Sequence, residues 1–279
     1  MHIMLKSKTT EQVVNAWKYE RFGFKSDILG QDLHCGFLRR EDSSSPITKT
    51  IYMLHGGNAD DTQAAQAGLL PLLTETLAQR SVQIVFPNIG TSFLHHHPTN
   101  KKKSFSEYFL NELVPAAEKG TSTNERLICG WSMGGQAALN MFARHSEHFA
   151  GVGAHFPTLI QFDYLNPTDG AAYAARMKVS APMMEILIGE FKKEFTDLKD
   201  FYRHCPLTLA REKASAWNGK KIYFDVGSED EFGLSEGALV LHDILKAKKI
   251  EHYFKNIPQG KHDGAFIYTQ IANLLNYLL

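Results

Sequence analysis

The chain has 279 residues, 43% of them hydrophobic and 22% charged, enough apolar material for one large buried core. Thirty basic residues balance thirty acidic ones, which argues against nucleic acid as a partner; the one compact basic run, Lys101-Lys102-Lys103, reads as solvated surface. Cys35, Cys129 and Cys205 are too few and too scattered for a disulfide framework or a redox pair. Neither the start, Met1 to Lys6, which runs straight into polar residues, nor the interrupted apolar run Ala265 to Leu279 reads as a signal or a membrane span. The expectation is a soluble cytoplasmic protein without membrane partners, compatible with a homo-oligomer.

In chain order, Phe22 to Lys25 and Leu33 to Leu38 predict an antiparallel hairpin turning at Gly30-Gln31-Asp32. After the loop Glu41 to Pro46, β-rich runs alternate with helical ones. The predicted strands are 50–54, 82–87, 126–129, 152–156, 221–226 and 252–257. Between them, Asp60 to Gln79 is helical, with Pro71 marking its effective start. A second helix is capped by Ser104 or Ser106 and ends near Lys119; a third runs from Gly135 to Arg144. In the last stretch Ile267, Ile271, Leu274, Leu275 and Leu278 fall at spacings of three and four, one face of an amphipathic helix. This alternation predicts a mostly parallel sheet with helices on both faces. Residues 157–219 break the rhythm; with prolines at 167, 182 and 206 and a helix over Met183–Phe195, they read as a partial cap on a single domain spanning 1–279.

Gly130-Trp131-Ser132-Met133-Gly134 lies between a predicted buried strand and a predicted helix. That is the setting of a nucleophile elbow, where a tight turn needs small residues two positions either side of the serine. The amide of Met133 then opens a helix beside a developing oxyanion. His55-Gly56-Gly57 ends an earlier strand, where a second amide donor belongs: Gly57 is favoured, with Asn58 in reserve, and His55 is read as a brace for the loop. A hydroxyl nucleophile needs a base and an orienting acid, in the order Ser, Asp or Glu, His. His262 sits in a turn-rich loop before the last helix, and Asp230 follows the strand 221–226, ahead of the alternatives Glu229 and Asp225.

These stretches, together with Tyr52-Met53-Leu54, Phe86-Pro87-Asn88, Glu107-Tyr108, Glu112-Leu113 and His262-Asp263, resemble the esterase D-like branch of the α/β-hydrolases. That branch includes S-formylglutathione hydrolases, tributyrin-type esterases and feruloyl esterases. The resemblance runs from about residue 50 to the C-terminus. It implies an α/β-hydrolase fold, a Ser132–Asp230–His262 triad, an oxyanion hole of Gly57 and Met133, and no cofactor. Gly264 and Ile267 stand where many relatives carry aromatic residues, and Trp131 fills a variable position, so the subfamily stays open.

The triplet His95-His96-His97 is read as rim lining in preference to plain surface or a metal site, because adjacent side chains diverge. Trp131, Asn58, Phe93 and His95 are the expected substrate contacts, and no metal is expected. The predicted function is hydrolysis of a short-chain acyl ester through an acyl-enzyme. A glutathione thioester substrate and a non-catalytic binding role are the alternatives.

Overall fold

A computed structural model describes residues 7–41, 45–78, 80–97, 99–195 and 197–279, with side chains from residue 12 onward. The expectations placed on Met1–Lys6, on the middle of the loop Glu41–Pro46, on Gln79 and on Pro98 lie outside the described residues. Among the described residues the strands are β1 (Ser7–Val14), β2 (Trp17–Lys25), β3 (Asp32–Arg40), β4 (Lys49–Leu54), β5 (Val82–Pro87), β6 (Glu125–Trp131), β7 (Gly151–His155), β8 (Lys221–Gly227) and β9 (Tyr253–Ile257). They form one sheet in the order β1-β2-β3-β5-β4-β6-β7-β8-β9. From β5 to β9 every pairing is parallel, while β1, β2 and β3 add an antiparallel edge.

The hairpin is longer than predicted, pairing Trp17 with Arg40 at one end and Lys25 with Asp32 at the other. Its turn is held by Gly30 in the left-handed region and by Glu112, which accepts from Ser26 Oγ at 2.6 Å and from the amides of Asp27 and Ile28 at 3.0 Å. Strand β1, Ser-Lys-Thr-Thr-Glu-Gln-Val-Val, was not predicted. Its mostly polar residues carry almost none of the alternation that identifies a half-buried strand.

The helices are α1 (Gln63–Gln66), α2 (Leu70–Leu77), α3 (Phe105–Tyr108), α4 (Val114–Ala117), α5 (Met133–Arg144), α6 (Pro167–Met177), α7 (Ala181–Glu194), α8 (Leu198–His204), α9 (Pro206–Lys213), α10 (Ser235–Ala247) and α11 (Gly264–Leu278). A π-helical turn, Phe109–Leu113, joins α3 to α4, so the helix expected after Ser104 is present in three pieces. The predicted helix over Asp60–Gln79 is two, with Pro71 in the first turn of α2 as expected. Asp60 accepts from the Thr62 amide at 2.8 Å, and Asp61 is paired with Arg21 at 2.6 Å.

Residues 157–219 carry α6 to α9, and three of their prolines are helix starts. Pro167, Pro182 and Pro206 each occupy a first turn, where a missing N–H costs nothing. Helix α7 buries Met184, Leu187 and Phe191 against the body and leaves Lys192 and Lys193 outward. At the C-terminal end, Asp263 accepts from the Phe266 amide at 2.9 Å and caps α11, whose Ile271, Leu274, Leu275 and Leu278 are fully buried. Among the described residues, no helix is long and apolar enough to cross a membrane.

Candidate active site

The sheet order reverses around β4, whose neighbours β5 and β6 run parallel to it on either side. Loops leaving the C-terminal ends of such strands form the crevice where ligands bind in open α/β sheets. Here the loop after β4 carries Gly56, Gly57 and Asn58, and the turn after β6 carries Ser132.

Ser132 sits at φ 55° and ψ −122°, a backbone conformation in which a side chain is strained. The turn is so tight that a Cβ on Gly134 would lie 2.5 Å from the Leu54 carbonyl oxygen. One on Gly130 would lie 2.7 Å from the Gly134 backbone. Glycine is therefore required at both places, and the turn lifts the serine hydroxyl clear of the strand. The Ser132 amide donates to the His155 carbonyl at 3.0 Å, which ties the turn to β7.

His262 and Ser132 meet across the fold: Nε2 lies 2.9 Å from Ser132 Oγ. On the other side of the ring, Nδ1 lies 2.8 Å from Asp230 Oδ2. The second Asp230 oxygen accepts from the amides of Phe232 at 2.9 Å and Leu234 at 3.3 Å, so the carboxylate is fixed in its loop. The imidazole is held between Phe156, at 4.2 Å, and Phe232, at 4.7 Å, centroid to centroid. The other two acids are placed elsewhere. Asp225 is fully buried and bonds His155 Nδ1 and the Tyr223 hydroxyl, each at 2.7 Å, while Glu229 is exposed.

His55 braces its loop, as the sequence suggested. The Ile89 amide donates to Nε2 at 3.1 Å, leaving Nδ1–H to donate to the Gly56 carbonyl at 2.8 Å. Burial pushes this histidine below its ordinary pKa, which matches a neutral ring with one donor and one acceptor. Gln63 on α1 is the partner that sequence reasoning missed. Its Oε1 accepts both the Gly56 amide and the Trp131 indole N–H at 2.8 Å, locking the loop after β4 to the residue before the serine.

A cavity of about 530 Å³ opens over Ser132 and His262. Gly57, Asn58, Phe93, Trp131 and Met133 all line it, bringing together most of the residues expected at the site. Asn58 and Phe93 adopt positive φ, 54° and 48°. Phe93 is stacked on Phe191 of α7, 5.7 Å away. Helix α7 also contributes Ile186, Leu187 and Glu190, whose spacing of three and four puts them on one face; that pattern was readable, but its target was not. Glu190 Oε1 receives Lys193 Nζ at 2.7 Å, whereas Oε2 is buried without a hydrogen-bond partner, close to Gly57.

His95 corrects the sequence reading. It is fully buried, does not line the cavity, and packs between Phe93, Phe195 and His204. The cause is tertiary: α7 and α8 fold over the segment after β5 and take its side chains inward. Adjacent histidines do diverge, as expected, with His96 turned toward Glu107. Alternate ones converge, however, and His95 and His97 both approach Glu194. Burial pushes Glu194 up, but the two histidines outweigh it and hold the carboxyl down at about 2.

Comparison with known proteins agrees with this architecture. Residues 26–270 match the family described as "Putative esterase". Over 148 residues, half of the chain, it is 24% identical to the esterase Rv1288 of Mycobacterium tuberculosis, and the match covers 31% of that longer protein. An S-formylglutathione hydrolase from Agrobacterium tumefaciens superposes with a TM-score of 0.73 at 15% identity, over 99% of this chain and 98% of that one. A ferulic acid esterase superposes at 0.71 with 17% identity, over 94% and 97%. With the family matched across most of its length and the hydrolase sheet beneath it, the chain belongs to the esterase family of the α/β-hydrolase fold that also holds esterase D-like and feruloyl esterase-like proteins.

Proposed function

We propose that the chain is a serine carboxylesterase acting on short-chain acyl esters. The observation that carries this reading is His262, poised between Ser132 Oγ and Asp230 with both contacts under 3 Å. His262 takes the hydroxyl proton as Ser132 attacks the ester carbonyl, and Asp230 orients the ring and stabilises its protonated form. The amides of Gly57 and Met133 hold the oxyanion. The alcohol leaves with the proton from His262, and water, activated by the same base, releases the acid from Ser132. Side chains and water complete the cycle, so the chemistry needs no cofactor.

The cavity supports a compact substrate. Trp131, Phe93, Phe156 and Phe232 wall the space around the serine with aromatic rings, two of them pinned by hydrogen bonding or stacking. The outer surface of α7 carries Glu185, Lys192 and Lys193, with Ile186 as a single exposed large apolar side chain at the cavity, rather than the continuous apolar face that meets a lipid interface. Glu190 Oε2, beside Gly57 and without a hydrogen-bond partner, adds an acceptor to a wall made partly polar by Asn58 and Thr158, which suits a substrate bearing a hydroxyl or N–H donor. Turnover of p-nitrophenyl butyrate by the wild-type chain, lost in a folded Ser132→Ala variant, is the expected result. No turnover across a panel of p-nitrophenyl esters and S-formylglutathione would overturn the reading.

A further inference from the structure

Outside the catalytic cavity, His95, His97 and Glu194 offer one nitrogen each and one carboxylate oxygen, all within 4.8 Å of one another. His95 Nδ1 stands 3.3 Å from Glu194 Oε1, and His97 Nε2 stands 3.4 Å from the same oxygen. In a tetrahedral site with bonds of about 2.0–2.2 Å, neighbouring ligand atoms lie roughly 3.3–3.5 Å apart. Two of the three edges therefore already have the length that an ion would impose, and the third is no longer than 4.8 Å.

A second observation points the same way. His95 is fully buried, yet Nε2 has no partner and Nδ1 faces only Glu194, at 3.3 Å. A buried polar side chain left idle is uncommon and asks for a partner. Apart from Glu194, the surrounding groups do not supply one. The nitrogens of His204 face the carbonyls of Asp200 and His96, at 2.9 and 3.1 Å, and its ring lies against His95. The side chains of His97 and Glu194 are 16% and 15% exposed, so solvent reaches the open side of the cluster.

We propose that His95, His97 and Glu194 bind a divalent transition-metal ion, Zn²⁺ by ligand type, with water completing the tetrahedron. The ion would act as a clip. Its histidines stand on the segment after β5, and its carboxylate is the last residue of α7, the helix that brings Ile186, Leu187 and Glu190 to the cavity wall. Binding would fasten that wall to the body of the fold, through a site separate from the Ser132 chemistry.

Calorimetric titration of the chelator-stripped full chain with Zn²⁺ tests this. One ion per chain is expected, and saturating Zn²⁺ should raise the melting temperature. His97→Ala and Glu194→Gln, both at partly exposed positions, should each weaken binding by about 100-fold or more, since loss of supporting groups alone costs 10–100-fold. His96→Ala, which faces Glu107, should bind as the wild type does. X-ray absorption at the zinc edge of the wild-type complex should count two imidazoles, a readout that holds even if a variant misfolds. The absence of saturable binding, fewer than two imidazoles, or unchanged affinity in both folded ligand variants would overturn the proposal. Ester turnover independent of Zn²⁺ would leave the proposed esterase function standing, so the two ideas fail separately.

Discussion

The indole of Trp131 donates to Gln63 Oε1 at 2.8 Å, and this bond connects the elbow that carries the serine to the loop that carries Gly57. Because the same oxygen also accepts the Gly56 amide, one neutral side chain sets the spacing between the two sides of the proposed oxyanion hole. Gln63→Leu would leave two donors unsatisfied, at about 1–3 kcal/mol each when buried. Turnover should fall about tenfold or more with little change in KM, equivalent to at least about 1.4 kcal/mol of transition-state stabilisation. Steady-state kinetics on p-nitrophenyl butyrate, with Gln63→Glu as the variant that keeps an acceptor oxygen, separates this positioning role from general destabilisation.

Two buried acids near the site should respond differently to the same substitution. Asp230→Asn should cut turnover by about 10⁴ while the fold survives, because the amide favours the wrong tautomer of His262. Asp225→Asn breaks the pair with His155 and should act on stability, by about 3–5 kcal/mol, as the loss of one partner from a buried pair does. Denaturant unfolding and kinetics measured on both variants check the contrast.

The elbow and the loop positions of Asp230 and His262 were legible because they are local. Gly130 and Gly134 are forced by the turn itself, Asp230 follows the buried strand β8, and His262 stands in a turn-rich loop directly before the amphipathic α11. What depends on distant packing was not legible. His95 reads as a rim residue until α7 and α8, about a hundred residues later, close over it. Gln63 was lost inside a predicted single helix, because a break at Gly68 separates α1 from α2 and turns that side chain toward the elbow. The polar strand β1 pairs through its backbone with β2 and needs no hydrophobic alternation to do so.

Substrate size gives a further check. Across a p-nitrophenyl series, kcat/KM should peak between acetyl and butyryl and fall by about tenfold or more by decanoyl, as methylenes lose the roughly 0.8 kcal/mol each gains when it is buried. A 3-hydroxybutyryl ester should outrun its butyryl counterpart, and Glu190→Gln should shrink that preference, since Oε2 is the buried acceptor in the wall. A peak at decanoyl or longer would mean that α7 opens as a lipid-facing lid.

Acid should unmask His55. The ring is neutral in the fold, with its pKa below the ordinary 6.5, so the unfolded chain binds the extra proton first as the pH drops. Stability must then fall as the pH passes downward through that value. His55→Gln should be less stable than the wild type at neutral pH, having lost at least one of the bonds to Ile89 and Gly56. The gap should narrow below about pH 6, because the variant has no proton to take up there. Urea unfolding at pH 7.5 and pH 5 measures the two gaps; a gap that stays constant would remove His55 from the acid response.

The central claim is that Ser132 is the nucleophile, and covalent labelling reads it without any assumption about the natural ester. A fluorophosphonate probe reacted with the folded chain and mapped by peptide mass spectrometry should place one adduct on Ser132. The label should vanish in Ser132→Ala and slow sharply in His262→Ala, which removes the imidazole 2.9 Å from the hydroxyl. An adduct on a different serine, or labelling that survives in the Ser132→Ala variant, would contradict the mechanism.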